Sequence, residues 1–352
     1  MLKSCSYFLD PGENWDNTLD LFSSLGLSDI YFDYRYLELY IDQGSNSVAE
    51  AFVFKEDNNI FFLPYLKKPI IEEDNLWDFE TAYGYSGPLS STEEQSFLES
   101  AWNSFLKMAK DKGLVAGLIR FNPLIANDKF SISKNFEAKK ERDTVWLDCN
   151  RGLQNILDDY SKKHLKQIKS LESKGVFVEC SNNKEFLKKF KEIYSNRMGA
   201  IGASNEYFFS DEYFDKVLLM NNDSWKVYLA YSPDKEIIGG CLLLFSNNTC
   251  HYHLSGSYSE FLKFKPNDIL RHNVIKDMVG LKIDKIHFGG GRTNDPEDSL
   301  LQFKLKFSKQ TYKFKVGYCM VDEDNYLRVC DKWMNRFPEK KEYANYFLKY
   351  RY

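Results

Sequence analysis

The chain has 352 residues, of which 43% are hydrophobic, 28% are charged and 16% are aromatic, and its formal net charge is −4. A chain of this length usually forms two domains, and its 23 tyrosines and 28 phenylalanines can fill large cores. The small negative charge argues against a protein that coats nucleic acid, and no apolar run reaches the roughly 18 residues that a membrane span needs.

Seven cysteines are scattered along the chain, at positions 5, 149, 180, 241, 250, 319 and 330. No two of them form a CxxC pair, and the first residues, MLKSCSYFLDPGENW, contain no apolar signal-peptide core. This pattern is typical of reduced, buried thiols, so we expect a cytoplasmic protein. His251 and His253 alternate on one predicted strand without a third ligand, and we therefore predict no metal site.

The first half of the chain predicts a mixed α/β domain. AEAFVFKEDNNIFFLPYL is typical of two strands joined by a polar turn. STEEQ at 91–95 has the pattern of a capping box, Ser91 followed by Glu94, and predicts a long helix that ends at Gly113. LVAGLIRF and DTVWLDC predict two further strands. The predicted fold class is therefore α/β with mixed sheets.

The second half shows the same order more clearly. Apolar positions at helical spacing from Leu157 to Leu171 predict a helix that Gly175 ends, and KEFLKKFKEIYSNRMG predicts another. Three apolar runs within 225–257 predict an antiparallel meander. The helix ILRHNVIKDMV, the strand KIHFGGG, the short helix DSLLQFKLKF and the strand YKFKVGYCMV follow. The duplicated order predicts two domains, 1–150 and 151–352.

The glycine triplet in KIHFGGGRTNDPEDSLLQFKLKF, which spans 285–307, is neither a P-loop nor a GxGxxG turn, because GK[ST] and the required spacing are absent. Two interpretations remain open for it. The triplet is either a tight exit from a buried strand or a stretch of bare backbone that a substrate can approach closely.

The helix after the triplet places a lysine among apolar residues. At 100° per residue from Leu300, Lys304 falls at about 40°, inside an apolar arc that runs from Phe303 at about 300° to Leu305 at about 140°. Burying a bare ammonium is costly. Lys304 therefore either extends its amine to solvent or points into a functional site.

The ending GGG followed by LQFKLKF, the helix KHLKQIKSLESKGVFV and the segment ETAYGYSGPL together resemble the Fem-type peptidyltransferases and their relatives in the GNAT acyltransferase superfamily. The resemblance covers roughly residues 30–320 and implies two GNAT-like domains in tandem. It also implies an enzyme that transfers an aminoacyl or acyl group directly onto an amine of a cell-envelope or glycan precursor, in peptidoglycan or polysaccharide biosynthesis.

The resemblance also implies the site residues. Phe303 and Lys304 would form the catalytic pair, with Lys304 as a fixed positive charge beside the transferred acyl group, and YGYSGP at 83–88 would line a cleft between the domains. The implied substrate-binding residues are Tyr83, Tyr85, Arg197, Tyr252, Ser255, Gly289, Gly290, Gly291 and Arg292. For Arg197 an alternative is that it binds the last carbonyls of its own helix.

The donor is left open between aminoacyl-tRNA and acyl-CoA, neither of them permanently bound. The long coiled-coil arm of several peptidoglycan-bridge enzymes has no counterpart within 162–191, and SGSYSEFLKFKPNDIL does not match the [RQ]xxGx[GA] loop of CoA-dependent GNAT enzymes. A basic stripe is either a solvated face or a contact for tRNA. It comprises Lys162, Lys163, Lys166 and Lys169, together with Lys188, Lys189 and Lys191. Alternative functions are an acyl-CoA-dependent N-acyltransferase and a catalytically inactive GNAT-like scaffold.

Overall fold

The computed structural model describes residues 4–132 and 136–352, apart from the side chain of Glu137. It contains two compact units: unit 1 comprises residues up to Glu141 together with Phe314–Tyr352, and unit 2 comprises Arg142–Lys313. This division differs from the predicted domains, 1–150 and 151–352, because the last part of the chain returns to unit 1.

The secondary structure contains both strands and helices along the whole described chain. In chain order the first elements are β1 (Ser4–Leu9), α1 (Glu13–Ser24), α2 (Tyr34–Glu38), β2 (Val48–Glu56), β3 (Asn59–Pro69), β4 (Trp77–Glu80), β5 (Leu89–Ser90), α3 (Gln95–Asp111), β6 (Leu114–Arg120) and β7 (Phe136–Asp148). They are followed by α4 (Leu153–Asp158), α5 (Lys162–Ser173), β8 (Phe177–Ser181), α6 (Lys184–Ala200), α7 (Asp211–Leu219), β9 (Trp225–Tyr231), β10 (Ile237–Ser246), β11 (Thr249–Ser257), α8 (Pro266–Gly280), β12 (Lys285–Gly290), α9 (Ser299–Lys304), β13 (Gln310–Met320) and α10 (Glu323–Arg336).

The sheet of unit 1 has the strand order β1-β2-β3-β4-β6-β13, and β5 pairs with β3. Neighbouring strands are antiparallel except β4 and β6, which are parallel and are connected through α3. An aromatic core that includes Phe61, Phe79, Trp102 and Phe105 packs α3 against this sheet. On β13, residues 316–320 pair with β6. That pairing is the physical reason why the end of the chain belongs to unit 1.

The sheet of unit 2 has the strand order β8-β9-β10-β11-β12-β7. Its neighbours are antiparallel except β11 and β12, which are parallel and are connected through α8. The predicted meander is therefore confirmed as β9, β10 and β11. The segment β10-β11-α8-β12 repeats the order of β3-β4-α3-β6 in unit 1, and this repeat confirms the predicted mixed α/β fold with a duplicated arrangement.

Two predicted helix boundaries are wrong. Helix α3 begins at Gln95, and Ser91 does not cap it, because the Ser91 hydroxyl accepts the backbone N–H of Ile60 at 2.9 Å. The single helix predicted from Leu157 to Leu171 is divided into α4 and α5. Ser161 caps the second of these by accepting the N–H of His164 at 3.1 Å.

The cysteines only partly follow the expectation of buried thiols. Five are buried, whereas Cys5 and Cys180 are exposed near one edge of the sheet in their respective units. Over the described parts of the chain, every helix is too short or too polar to cross a membrane.

Candidate functional site

The two parallel strands of unit 2 separate towards their carboxyl ends. Their register covers only three pairs, from Thr249 with Lys285 to His251 with His287, although both strands continue beyond these residues. Within residues 249–290 no further pair joins β11 to β12. The two strands therefore run parallel and splay towards their carboxyl ends, and the candidate site residues of unit 2 are described below from this opening outward.

A β-bulge lies on β11 at the start of this opening. Leu242 pairs with Leu254, whereas Leu243 pairs with Tyr252, so His253 is the extra residue. Bulges reorient side chains and often lie next to active sites. Here the ring of Tyr252 packs in the core shared with α8, and the Tyr213 hydroxyl lies 2.8 Å from His253 Nε2.

Two buried histidines close the base of the opening. His251 and His287 face each other from the last registered strand pair, with ring centroids 5.6 Å apart in an edge-to-face arrangement. Burial lowers the pKa of His287 well below its ordinary value, and the neighbouring His251 and Lys304 lower it further. The His287 imidazole is therefore neutral at physiological pH.

Lys304 lies at the end of α9 and is buried, with 8% of its surface exposed. Its Nζ donates a hydrogen bond to the carbonyl oxygen of Gly290 at 2.6 Å. Burial, with Arg271 and then Arg142, lowers the Lys304 pKa to about 7, while Asp298 opposes the shift. The amine therefore does not extend to solvent. An amine with this pKa is only partly protonated near neutral pH, so the expectation that Lys304 is a fixed positive charge needs correction.

The glycine triplet is packed against side chains of the same unit. A Cβ on Gly291 would lie 2.6 Å from Asp298 Oδ1, and one on Gly290 would lie 2.9 Å from Arg142 Cδ. Asp298 caps α9 by accepting the N–H groups of Leu300 and Leu301. The geometry favours the interpretation that the glycines allow α9 to pack closely on the strand end, and substrate contact at Gly289, Gly290 and Gly291 stays a prediction.

Arg271 was missed by the sequence prediction and lies beside Lys304 and Phe303. Only 3% of its surface is exposed, and its guanidinium carbon lies 4.4 Å from the ring centre of Tyr252 and 4.7 Å from that of Phe303. A signal was present: counted from Leu270, Arg271 falls at about 100° on the α8 wheel, between Met278 at about 80° and Ile275 at about 140°. The same kind of wheel position that distinguishes Lys304 would have identified Arg271.

The other predicted residues of unit 2 lie at different depths. Ser255 is half-buried on β11, and Arg292 is exposed. Arg197 is half-buried in the last turn of α6, next to Gly256 of β11. Within the described chain, the Arg197 side chain forms no hydrogen bond to the last carbonyls of its helix, which removes the alternative role considered for it. Substrate contact at these three residues stays a prediction.

Tyr83 and Tyr85 pack among aromatic residues of unit 1. The ring of Tyr83 lies 5.5 Å from that of Tyr40, and its carbonyl accepts a hydrogen bond from the Tyr36 hydroxyl at 2.7 Å. The ring of Tyr85 lies edge-on to Tyr31 at 5.6 Å. Their predicted position in a cleft that binds substrate stays a prediction.

The N-terminus of α8 carries a buried acid. Asp268 lies in the first turn of the helix, and its Oδ1 is 3.0 Å from His164 Nε2, with both side chains less than a tenth exposed. The ring of Tyr160 stacks on His164 at 5.1 Å. A carboxylate in this turn adds negative charge near the helix N-terminus, which disfavours a bound phosphate there.

The predicted basic stripe is divided between α5 and α6. Lys162, Lys163, Lys166 and Lys169 are all exposed on α5, and in the described residues none of the four forms an ion pair. On α6, by contrast, Lys189 pairs with Glu185 at 2.7 Å and Lys191 pairs with Asp211. Only the α5 part of the stripe therefore presents uncompensated positive charge.

Comparison with known proteins identifies the domain type of unit 2. Residues 159–304 match the family model described as an acetyltransferase (GNAT) domain, and this range contains the bulge, the splayed strands and Lys304. Among curated protein sequences, none matches this chain.

Three solved structures resemble the chain over most of its length, and one of them is described as a tandem GNAT protein. FemX aligns with a TM-score of 0.68 at 14% identity, over 92% of this chain and 99% of FemX. L-PGS from Bacillus licheniformis aligns with a TM-score of 0.54 at 13% identity, over 88% of this chain and 92% of L-PGS. A tandem GNAT protein from the clavulanic acid biosynthesis pathway aligns with a TM-score of 0.51 at 9% identity, over 91% of this chain and 99% of that protein. The predicted resemblance is thus confirmed for the fold, which is that of the Fem-type GNAT acyltransferases.

Proposed function

We propose that this protein transfers an aminoacyl group onto an amine of a cell-envelope or glycan precursor, with Lys304 at the site of transfer. The observation that carries the proposal is the buried Lys304 amine, which lies at the end of a splayed GNAT strand pair and whose pKa is lowered to about 7. Burying such an amine is costly, and strongly shifted ionisable groups cluster at functional sites.

The chemistry needs no nucleophilic side chain. The acceptor nitrogen forms the new bond to the acyl carbon, the ester bond to the donor breaks, and the proton of the amine leaves while the departing oxygen gains one. Holding amine and ester together supplies much of the rate. The protonated form of Lys304 would donate to the oxyanion that develops on the acyl carbonyl, an interaction that is strongest in a site from which water is excluded.

Two observations favour aminoacyl-tRNA over acyl-CoA as donor. The buried Asp268 in the first turn of α8 disfavours a pyrophosphate at that helix N-terminus. The four lysines of the stripe on α5 lie exposed and without acidic partners, which suits neutralisation of a phosphate backbone.

An acyl-CoA donor is the alternative, because residues 159–304 match the acetyltransferase domain. Purified protein can be incubated with an amine-bearing, nucleotide-linked peptidoglycan precursor and either labelled aminoacyl-tRNAs or labelled acetyl-CoA. We expect label from the aminoacyl-tRNAs. Label from acetyl-CoA alone would select the alternative, and transfer from neither donor to a panel of such precursors would favour a binding scaffold.

Lys304→Met tests the role of the amine, because methionine keeps the length and apolar body of the side chain without its charge. Transfer should fall by roughly two to three orders of magnitude, as when a preorganised oxyanion donor is removed, while the far-ultraviolet circular dichroism stays unchanged.

Phe303→Ala is the contrasting variant, since its partly buried ring packs on the core of unit 2. It should lower the free energy of unfolding measurably, though by less than the roughly 3–5 kcal/mol expected for a fully buried ring. If Lys304→Met folded normally and kept nearly full transfer, α9 would be a structural element only.

A further inference from the structure

We propose that Arg271 is the centre of an anion-binding site, at which its guanidinium receives a carboxylate or a phosphate of the substrate beside the transfer site. That the bound anion belongs to a substrate rests on the proposed function. Its physical basis is independent: a buried cation whose hydrogen-bonding groups are unused.

The charge of Arg271 has no anionic partner in the part of the chain that the structure describes. Its Nε is buried without a hydrogen-bond partner, and its terminal nitrogens form no hydrogen bonds either. Arginine is almost never buried in this state, because its donors lose water and gain nothing in exchange. The structure therefore contains a charged group that is 3% exposed and whose Nε has no hydrogen-bond partner.

The acids near Arg271 are already engaged. Asp268, one turn earlier on α8, is held by His164 at 3.0 Å. Asp298 accepts the first N–H groups of α9 and is the acid whose charge acts on Lys304. Neither carboxylate forms an ion pair with Arg271, so the neighbourhood of Arg271 and Lys304 is electropositive.

Aromatic rings fix the orientation of the guanidinium. Its carbon lies 4.4 Å from the ring centre of Tyr252, 4.7 Å from that of Phe303 and 6.0 Å from that of Phe307. These rings stabilise the cation through their faces but cannot accept hydrogen bonds in the plane of the guanidinium. The in-plane N–H groups are left for a ligand with two oxygens at fork spacing, which both carboxylate and phosphate provide.

The bond can be observed directly through the Nε–H group of Arg271. In a ¹⁵N correlation spectrum of the full chain, this resonance is identified as the one missing from Arg271→Met. One titration uses methyl phosphate and the other uses N-acetylglycine, each at constant ionic strength with chloride as reference. We expect the resonance to shift saturably with one of the two, and that anion identifies the chemical class of the ligand.

Arg120 of unit 1 supplies the matched control, because it is a partly buried arginine whose terminal nitrogens already bind Glu80 and Thr81. Its Nε–H resonance should not move. Arg271→Met should weaken binding of the effective anion at least tenfold, as measured by calorimetry, since a charged hydrogen-bond donor is removed. The variant should unfold at the same or a higher temperature because an unpaired buried charge is removed.

The proposal and the proposed function can fail separately. If neither anion moves the Arg271 resonance more than chloride does, or if Arg271→Met binds both anions as tightly as the wild type, the anion site is refuted, even if transfer occurs. If an anion shifts the resonance and Arg271→Met abolishes its binding while no acyl transfer is found, the site stands and the transferase function falls. Where both hold, Arg271→Met should raise the KM of one substrate at least tenfold and change kcat much less.

Discussion

At the scale of single residues, the site depends on two cations placed within apolar surroundings. Lys304 and Arg271 are both less than a tenth exposed, and Arg271 contributes to the lowered pKa of Lys304. A protein that retains such an arrangement accepts a cost in folding free energy. That cost is the expected signature of groups kept for binding or catalysis.

The cost should appear as a pH dependence of stability. The Lys304 pKa is lowered from 10.5 in the unfolded chain to about 7 in the fold. Between these two pH values the unfolded state binds more protons than the folded state. The contribution of Lys304 to wild-type stability therefore becomes more favourable as the pH rises. The penalty is fully present below pH 7 and disappears above pH 10.5. The gain in the free energy of unfolding of Lys304→Met over wild type should therefore be largest below pH 7, and it should shrink from pH 7 to pH 10.

Urea unfolding of wild type and Lys304→Met at pH 6, 7, 8, 9 and 10 measures this difference. Lys166→Met is the control, because it removes an exposed lysine of α5; its difference from wild type should vary little over the same range. A difference for Lys304→Met that is equally flat would mean that the amine is charged in the fold throughout.

Residue-level prediction from the sequence succeeded where the signal is local. The helical period alone places Lys304 inside an apolar arc, and it would place Arg271 there too. By contrast, the pair of His164 and Asp268 joins positions 104 residues apart, and the occupation of the space beside Gly291 by Asp298 depends on how α9 folds back. Such contacts are set by tertiary packing, which periodicity does not contain.

At the scale of elements, the choice between aminoacyl-tRNA and acyl-CoA as donor depends most on helix α5. Its buried face packs Ile168 and Leu171 into the core of unit 2, which leaves the lysine face to solvent. One face of α5 is thus packed in the core of unit 2, and the opposite face carries positive charge without acidic partners.

If aminoacyl-tRNA is the donor, its binding should weaken steeply with salt, because cations released from the phosphates drive association. Lys162→Glu combined with Lys166→Glu should reduce the magnitude of the slope of log K against log salt by roughly one or more, since each neutralised phosphate accounts for about 0.7–0.9 of that slope. Filter binding of tRNA between 50 and 300 mM KCl measures it.

Lys129→Glu combined with Lys332→Glu makes the same change of net charge at lysines that are already ion-paired, with Glu93 and Glu73. This control should leave the slope nearly unchanged. Affinity that is independent of salt in the wild type would remove tRNA as the donor.

The boundaries of elements were the least predictable feature at this scale. The strands of the meander and the short helix α9 follow from apolar runs and turn residues, whereas the parallel pairing of β11 with β12 does not. The start of α3 does not follow from these patterns, because the Ser91 hydroxyl accepts the N–H of Ile60 in β3 instead of capping the helix. The bulge at His253 was also not predicted, since it leaves no mark on the alternation of residues along β11.

At the scale of the whole molecule, the units are not two consecutive halves of the chain. Unit 2 is continuous, from Arg142 to Lys313, whereas unit 1 is assembled from two separate segments. Composition and duplication predicted two similar domains, but they could not indicate that the last strand of the second half pairs with β6. That pairing joins residues about 200 positions apart and is invisible to a local pattern.

Expression of separate fragments tests this organisation. Residues 142–313 should fold alone and unfold cooperatively in urea, because their core and sheet are complete. Residues 1–141 alone should not, since β6 would become an unpaired edge and Val115 and Ala116 would lose the cover of Cys330 and Trp333. Cooperative unfolding of fragment 1–141 at the stability of the full chain would contradict the division.

The return of β13 to unit 1 also has a consequence for biosynthesis. A ribosome completes β6 at Arg120 but releases its partner only when Met320 has emerged, which at 5–20 residues per second is a delay of about 10–40 s. Most of that delay is the synthesis of unit 2 itself, which ends at Lys313, seven residues before Met320, and β6 remains an open edge throughout it. The nascent chain therefore has a window in which a chaperone, or a neighbouring nascent chain on the same message, can bind the strand position that β13 finally occupies.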